Sequence, residues 1–415
     1  MIIQFESIDS FHEFKCCCRT EVKALRKESI HKGIAYGILL TIPAILLLLE
    51  EYRMVGQLGI QTSDARVYIG VADNFVSSGH FITTVRPNPG LVVPPGTPFM
   101  ITLFRLLGLN NTGIMVAQAL LFGLDNIFLY ETERNITNRG LWSPIIFTGA
   151  CMRCYLRLGV VMVEHYYLFL LCLAIWVIYS ELRTDKKLII LNLSGLAMLL
   201  TRPVLSPIYS FILLYTLFWC GKNRNYKIGV GMLLLPIVLL SVNLMVNHRE
   251  TGEWILLENY SGYDLYISSR SDAPVTIEEA GRHIIEEEDI LLVYDDGTIK
   301  QTERNTFFQE RARKNIREHF GLWLQKAVLR GYELFLRKYY WVTLYMLIGG
   351  LLMAAGELKQ GKYRAAIMLG LTLMLTAITS FGVVELRYTL IIWPMASIHG
   401  AFLTDLILRR LSKIK

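Results

Sequence analysis

Apolar residues gather along this chain in long unbroken runs rather than alternating with polar ones. Such runs occupy 33–50, 113–131, 142–157, 160–180, 187–201, 204–220, 227–246, 338–356, 363–382 and 388–408. Most approach the roughly 20 residues that carry a helix across a hydrocarbon layer of about 30 Å. Lipid offers the backbone no hydrogen-bond partners, so helices are the form these runs must take. The pattern predicts an all-α polytopic membrane protein with a bundle of about ten transmembrane helices. Arg153, Arg157 and Arg202 interrupt the apolar sequence between 142 and 220, where the helix count is least sharply drawn.

Two hydrophilic stretches, 51–112 and 247–337, are too long to be connectors only. In the first, Asp64, Val67, Tyr68, Val71, Ala72 and Phe75 recur at helical spacing, Thr62 or Ser63 can cap the start, and Gly79 can end it. This predicts a short amphipathic helix at the interface, with Asp64 in its first turn. Pro94-Pro95-Gly96-Thr97-Pro98 then sets an extended turn, and a second interfacial or re-entrant helix is expected over 98–108. In the second stretch, Phe307, Phe308, Ala312, Ile316 and Phe320 predict an amphipathic helix within 302–335, and Glu286-Glu287-Glu288-Asp289 reads as a solvated turn.

Composition agrees: the chain of 415 residues is 53% hydrophobic and 19% charged, with a mean hydropathy of +0.40. That excludes an ordinary soluble enzyme, a disordered chain and a porin-type barrel. The net charge of +7 is unevenly spread. Between Asn247 and Tyr340 stand 17 acids and 13 bases, against 18 acids and 29 bases elsewhere. The basic excess therefore belongs to the loops of the membrane part and implies no nucleic-acid partner.

With Lys15, Arg19, Lys23, Arg26, Lys27 and Lys32 placed in the cytoplasm, alternation also places inside the loops that hold Arg134 and Arg139, Arg183, Lys186 and Lys187, Lys222, Arg224 and Lys227, and Lys359, Lys362 and Arg364, together with the tail. The positive-inside rule is met in every one. The expected organisation is a cytoplasmic segment 1–32, a membrane core 33–246 with its first outer loop 51–112, an extracytoplasmic segment 247–337, and C-terminal helices with a cytoplasmic tail over 338–415. A multi-pass plasma-membrane location follows. About 30 polar residues precede the first run, so no cleaved signal peptide is expected. None of the seven cysteines falls in 247–337, and no disulfide framework is expected; Cys16, Cys17 and Cys18 read as reduced juxtamembrane thiols.

This topology collects ionisable groups at the outer surface: Asp64, Arg66, Arg86, Arg153, Arg157, Glu164, His165, Arg202, Glu385 and Arg387. A charge within or beside a span costs about 2.5–3.5 kcal/mol on insertion scales, so such residues face a cavity and pair with one another or with a ligand. Singly each has a plain reading: a helix first-turn acid for Asp64, a hairpin ion pair of Glu164 with Arg153 or Arg157, snorkelling for Arg202 and Arg387. Together they suit group transfer from a lipid phosphate. Guanidinium forks cradle the phosphate while a carboxylate serves as base for an incoming hydroxyl.

The order of motifs resembles the GT-C superfamily of polyprenyl-phosphate-sugar-dependent glycosyltransferases, especially glycosyltransferase family 39 and its bacterial aminoarabinose-transferase and mannosyltransferase-like relatives. The matching pieces are Asp64 with Tyr68, Ala72 and Gly79; Pro94-Pro95-Gly96-Thr97-Pro98; Val161-Met162-Val163-Glu164-His165 with Tyr167 and Phe169; and Thr201-Arg202-Pro203. Farther on come Asn247 to Glu253, Ser261 to Tyr266, and Glu385-Leu386-Arg387-Tyr388 with Pro394. The resemblance implies a GT-C-like bundle with an extracytoplasmic site, an inverting transfer, and Asp64 as general base. It implies substrate-binding roles for Glu164, Tyr68 and His165, and donor-phosphate contacts from Arg202, Arg387, Arg66 and Arg86. Where many relatives pair acids in the first loop, this chain has Ser63-Asp64-Ala65, so no metal and no other cofactor is expected. The implied partners are a polyprenyl-phosphate-sugar donor, a glycan, lipid or protein acceptor, and the bilayer. A polysaccharide ligase or polymerase using lipid-diphosphate glycans would share the outer arginines. A lipid or solute transporter would instead show related halves and ionisable groups at mid-membrane depth.

Overall fold

The computed structural model describes residues 8–56, 63–83, 91–137, 140–155, 161, 163–259, 261–276, 300–337, 340–382 and 386–413. These residues are almost wholly helical, with no strand among them. Six helices are long and apolar enough to cross a membrane, within Ile30–Arg53, Asn111–Thr137, Pro203–Lys222, Tyr226–Thr251, Trp341–Leu358 and Thr389–Ser412. All ten apolar runs are helical over most of their length, but four of the helices fall short of this standard. Those within Trp142–Met152, Glu164–Tyr179 and Arg364–Ser380 are shorter, and Thr184–Thr201 opens with Asp185, Lys186 and Lys187.

In chain order the elements are α1 (Ile8–Val55), α2 (Ser63–Ser78), α3 (Gly96–Leu106), α4 (Asn111–Thr137), α5 (Trp142–Tyr155), α6 (Glu164–Tyr179), α7 (Thr184–Thr201), α8 (Ser206–Lys222) and α9 (Tyr226–Thr251). They continue with α10 (Ser261–Ser269), α11 (Gln301–Glu318), α12 (Phe320–Gly331), α13 (Tyr340–Leu358), α14 (Arg364–Ser380) and α15 (Trp393–Ser412). The centre is α4, which packs against α1, α5, α6 and α15; from it α6, α7, α8 and α9 follow as a row of neighbours, and α15 adjoins α5 and α13. Close backbone approach fixes the α1–α4 pair. A Cβ on Gly123 would stand 2.3 Å from the carbonyl oxygen of Leu40.

The short basic loops share one end of the bundle, and ion pairs stitch them there. Lys32 meets Glu131 at 3.1 Å and Arg364 meets Glu357 at 3.0 Å, while Arg409 donates to the Thr137 carbonyl at the end of α4. Glu133, almost fully buried, accepts the backbone N–H of Ser143 at 2.7 Å and so satisfies an orphan donor of the first turn of α5. The described parts of the two long hydrophilic segments meet one another, through Val92 with Asn259, Gly79 with Arg249 and His80 with Glu250.

The helix expected at 302–335 is broken in two. His319 adopts φ −130°, ψ 39°, which ends α11 and starts α12 in a new direction. Phe308 and Ala312 are buried against Tyr266, as the spacing predicts, but Phe320 belongs to the second helix and is exposed. The first-loop helices agree closely with expectation: α2 ends at Gly79, whose φ is +77°, and α3 places Pro98 in its first turn.

Candidate functional site

A loop-rich end is built where the ends of α3, α6 and α7 meet, with α2 packed on α3. Pro203 cannot continue α7, so Arg202 takes an extended conformation (φ −147°, ψ 104°) before a single 3-10 turn leads into α8. This break aims the Arg202 side chain back toward α6. Its Nη1 donates to Oε1 of Glu164 at 3.0 Å, and its guanidinium lies 5.7 Å from the ring centroid of Tyr167, one turn along from Glu164. Glu164 is fully buried in the first turn of α6, where the helix dipole favours an acid, while the Arg202 side chain keeps 22% exposure. The pair therefore has a closed side and an open one. Oε2 of Glu164 has no hydrogen-bond partner among the described residues.

Helix α2 packs on α3, and the two reach the pair through their neighbours: Val161, just before α6, packs in the same cluster as α2, and α3 contacts α7. Ala65, Ile69 and Ala72 are buried, and Ile69 and Ala72 pack with Val161 and with Ile101 of α3. Tyr68 packs both against that cluster and against the main core, which holds Val163 and Tyr167. Asp64, one turn before Tyr68, is half-buried and Arg66 is exposed. The N-terminus of α3 closes the group from the other side. A Cβ on Gly96 would lie 2.9 Å from both the backbone of Leu200 and the side chain of Thr201, so only glycine admits this contact beside Arg202.

Further ties hold α2 and α3 to each other and to the bundle. Arg105 of α3 bonds Asp73 of α2 at 2.7 Å, Arg249 of α9 donates to the Gly79 carbonyl at 3.0 Å, and His80 meets Glu250 at 2.8 Å. The Val92 N–H donates to Asn259 at 3.0 Å, and Asn247 donates to the Ile255 carbonyl at 2.8 Å. The Asn247–Glu253 motif thus positions the first loop.

Of the expected site residues, Glu164 and Arg202 are paired beside Tyr167, Tyr68 packs against the main core that also holds Tyr167, and Asp64 lies one turn before Tyr68 on α2. His165 is buried on α6. Glu164 forms an ion pair with Arg202, which the helix break before Pro203 delivers; the partners expected for it, Arg157 and the Arg153 side chain, lie outside the described residues. Arg86, Arg157 and Glu385 lie outside the described residues, as do the 286–289 acids. Arg387 stands in a 3-10 turn, Leu386–Ile392, and its side chain, like those of Arg153, Cys154 and Cys16 to Cys18, lies outside the description. Cys151, Cys172 and Cys220 are free and buried.

Glu51 is a residue that hydropathy alone assigns to a loop. It is 5% exposed, with an unpartnered Oε2, because α1 continues through it. The signal was present: Ala44, Leu47 and Glu51 are spaced three and four apart on one buried face. Lys32 with Glu131 and Leu40 with Gly123 set an antiparallel register. Carried toward the loop-rich end, it places Glu51 opposite the first turns of α4, near Met115, which packs in the cluster of Ile69 and Ala72.

No protein-family model, curated protein or solved structure matches this chain.

Proposed function

We propose that this protein is an integral membrane glycosyltransferase of the GT-C type, moving a sugar from a polyprenyl-phosphate donor to an acceptor hydroxyl with inversion. In this reading the loop-rich end faces the extracytoplasmic side of the plasma membrane, and the basic end faces the cytoplasm. The observation that carries the proposal is the Glu164–Arg202 pair, buried on the acid's side and open on the arginine's, with Glu164 in the first turn of α6 just after Val161, on which α2 packs.

The chemistry follows from this placement. The acceptor oxygen attacks the anomeric carbon from the face opposite the lipid phosphate, forming the new glycosidic bond as the bond to phosphate breaks. Asp64 takes the hydroxyl proton, and the electron pair leaves with the phosphate oxygen. Arg202 stabilises the growing charge on that oxygen, an effect strongest where water is excluded. Glu164 fixes the fork of Arg202 from behind, so the arginine is positioned before the donor arrives. Arg66, Arg86 and Arg387 are the further phosphate contacts of the proposal, with Tyr68 and His165 lining the sugar side. Glu164 and Arg202 stand at helix ends rather than in mid-helix, which favours transfer over transport.

The test is incubation of the purified protein with radiolabelled polyprenyl-monophosphate sugars and, in parallel, lipid-diphosphate glycans. Consumption of a monophosphate donor supports the proposal. Consumption of the diphosphate class alone replaces it with a ligase or polymerase.

A further inference from the structure

Helix α12 is amphipathic in the sense opposite to that of a water-facing helix. Its charged residues point inward: Arg330, 1% exposed, donates to the Ser268 carbonyl at 2.8 Å and to the Pro274 carbonyl at 3.1 Å. Lys326 donates to the carbonyls of Ser271 at 2.6 Å and Ala273 at 2.9 Å. Burial pushes the Arg330 guanidinium down to about 10, which leaves it charged at neutral pH. On the same inner side Trp323 packs against Phe381, at the end of α14, with ring centroids 5.0 Å apart.

The outward arc is apolar and carries no charge. Phe320, Leu322, Leu324, Val328, Leu329 and Tyr332 are exposed by 56, 39, 41, 65, 43 and 52%, and Gln325 adds the one amide among them. A contiguous face of this kind demands an apolar partner. The chain around it says which one. After α12 a single π-helical turn, Tyr332–Arg337, leads into the span α13, whose own exposed residues Trp341, Val342, Leu351 and Leu352 form lipid-facing surface. Just before α12, the exposed Arg313, Lys314 and Arg317 of α11 stand where headgroups would.

We infer that α12 lies in the plane of the bilayer with Phe320, Leu324 and Val328 immersed in the leaflet at the loop-rich end, so that the membrane itself is the partner of this face. Lys326 and Arg330 then clamp the 268–274 loop from the membrane side. The inference does not depend on the chemistry of the site.

The test uses the full chain reconstituted in lipid, with an environment-sensitive fluorescent amino acid replacing Val328, and in separate samples Leu324 or Lys314. Only samples that remain monodisperse are read, and two lipid-facing positions guard against a single misfolded variant. At 328 and 324 the emission is expected to shift to the blue, to be lost largely in bilayers of brominated-acyl lipid, and to resist aqueous iodide. Position 314 is expected to respond to iodide. Iodide quenching at 328 and 324 without quenching by bromine overturns the inference, as does shielding from both quenchers, which would mark another protein surface.

Discussion

At the scale of single residues the decisive feature is a charge pair that is closed on one side. Removing one partner of a buried pair strands the other and is expected to destabilise by about 3–5 kcal/mol. Arg202→Ala and Glu164→Ala should therefore each lower the thermal midpoint in detergent, followed by intrinsic fluorescence. The double variant Glu164→Leu/Arg202→Leu should recover much of that loss and still bind donor poorly; equal midpoints for all variants and wild type would contradict the burial described. Glu51 offers the converse case. Its unpartnered buried oxygen is a liability of about 1–3 kcal/mol, so Glu51→Met, apolar and of similar shape, is expected to raise the midpoint. A fall would show that the carboxyl is satisfied. Sequence alone separates Asp64, Glu164 and Arg202 as charges beside apolar runs. It does not pair them, because the pairing depends on how Pro203 redirects one side chain.

At the scale of elements, two kinds of legibility differ. The period of α2 and its glycine end are local properties, and the helix is found at Ser63–Ser78, as its spacing demands. The break at His319 carries only a weak local mark, Gly321 in the first turn of α12, and the two halves separate because Phe308 and Ala312 turn toward Tyr266 while Trp323 turns toward Phe381. Element packing also gives a direct prediction. Gly123→Ala places a methyl group against the Leu40 carbonyl, and overpacking of this kind costs about 1–3 kcal/mol. The expected result is a lowered thermal midpoint, whereas Gly149→Ala, with open space around it in a helix interior, should keep the midpoint or raise it slightly. Equal effects would mean that α1 and α4 do not approach as described.

At the scale of the whole molecule, the bundle, its basic end and its loop-rich end follow from hydropathy and charge, since lipid forces helices and leaves only the loops to vary. What hydropathy does not define is the boundary between span and interface. Nine helices are apolar enough to be read as membrane elements, but only six have the full length, and the shorter α5, α6 and α14 lie among the others. Protein neighbours relax the demand that every helix face lipid along its whole length. Glu164, in the first turn of the short α6, is fully buried among these neighbours, and the candidate site is built there. Its central claim is that a carboxylate on α2 acts beside an arginine held from behind. The most direct measurement is single-turnover sugar transfer from a polyprenyl-monophosphate donor in proteoliposomes, with donor binding measured on the same samples. Asp64→Asn is expected to bind donor like the wild type and to lose at least about 100-fold in transfer rate, the scale of a positioned general base. Undiminished transfer by Asp64→Asn would contradict the account.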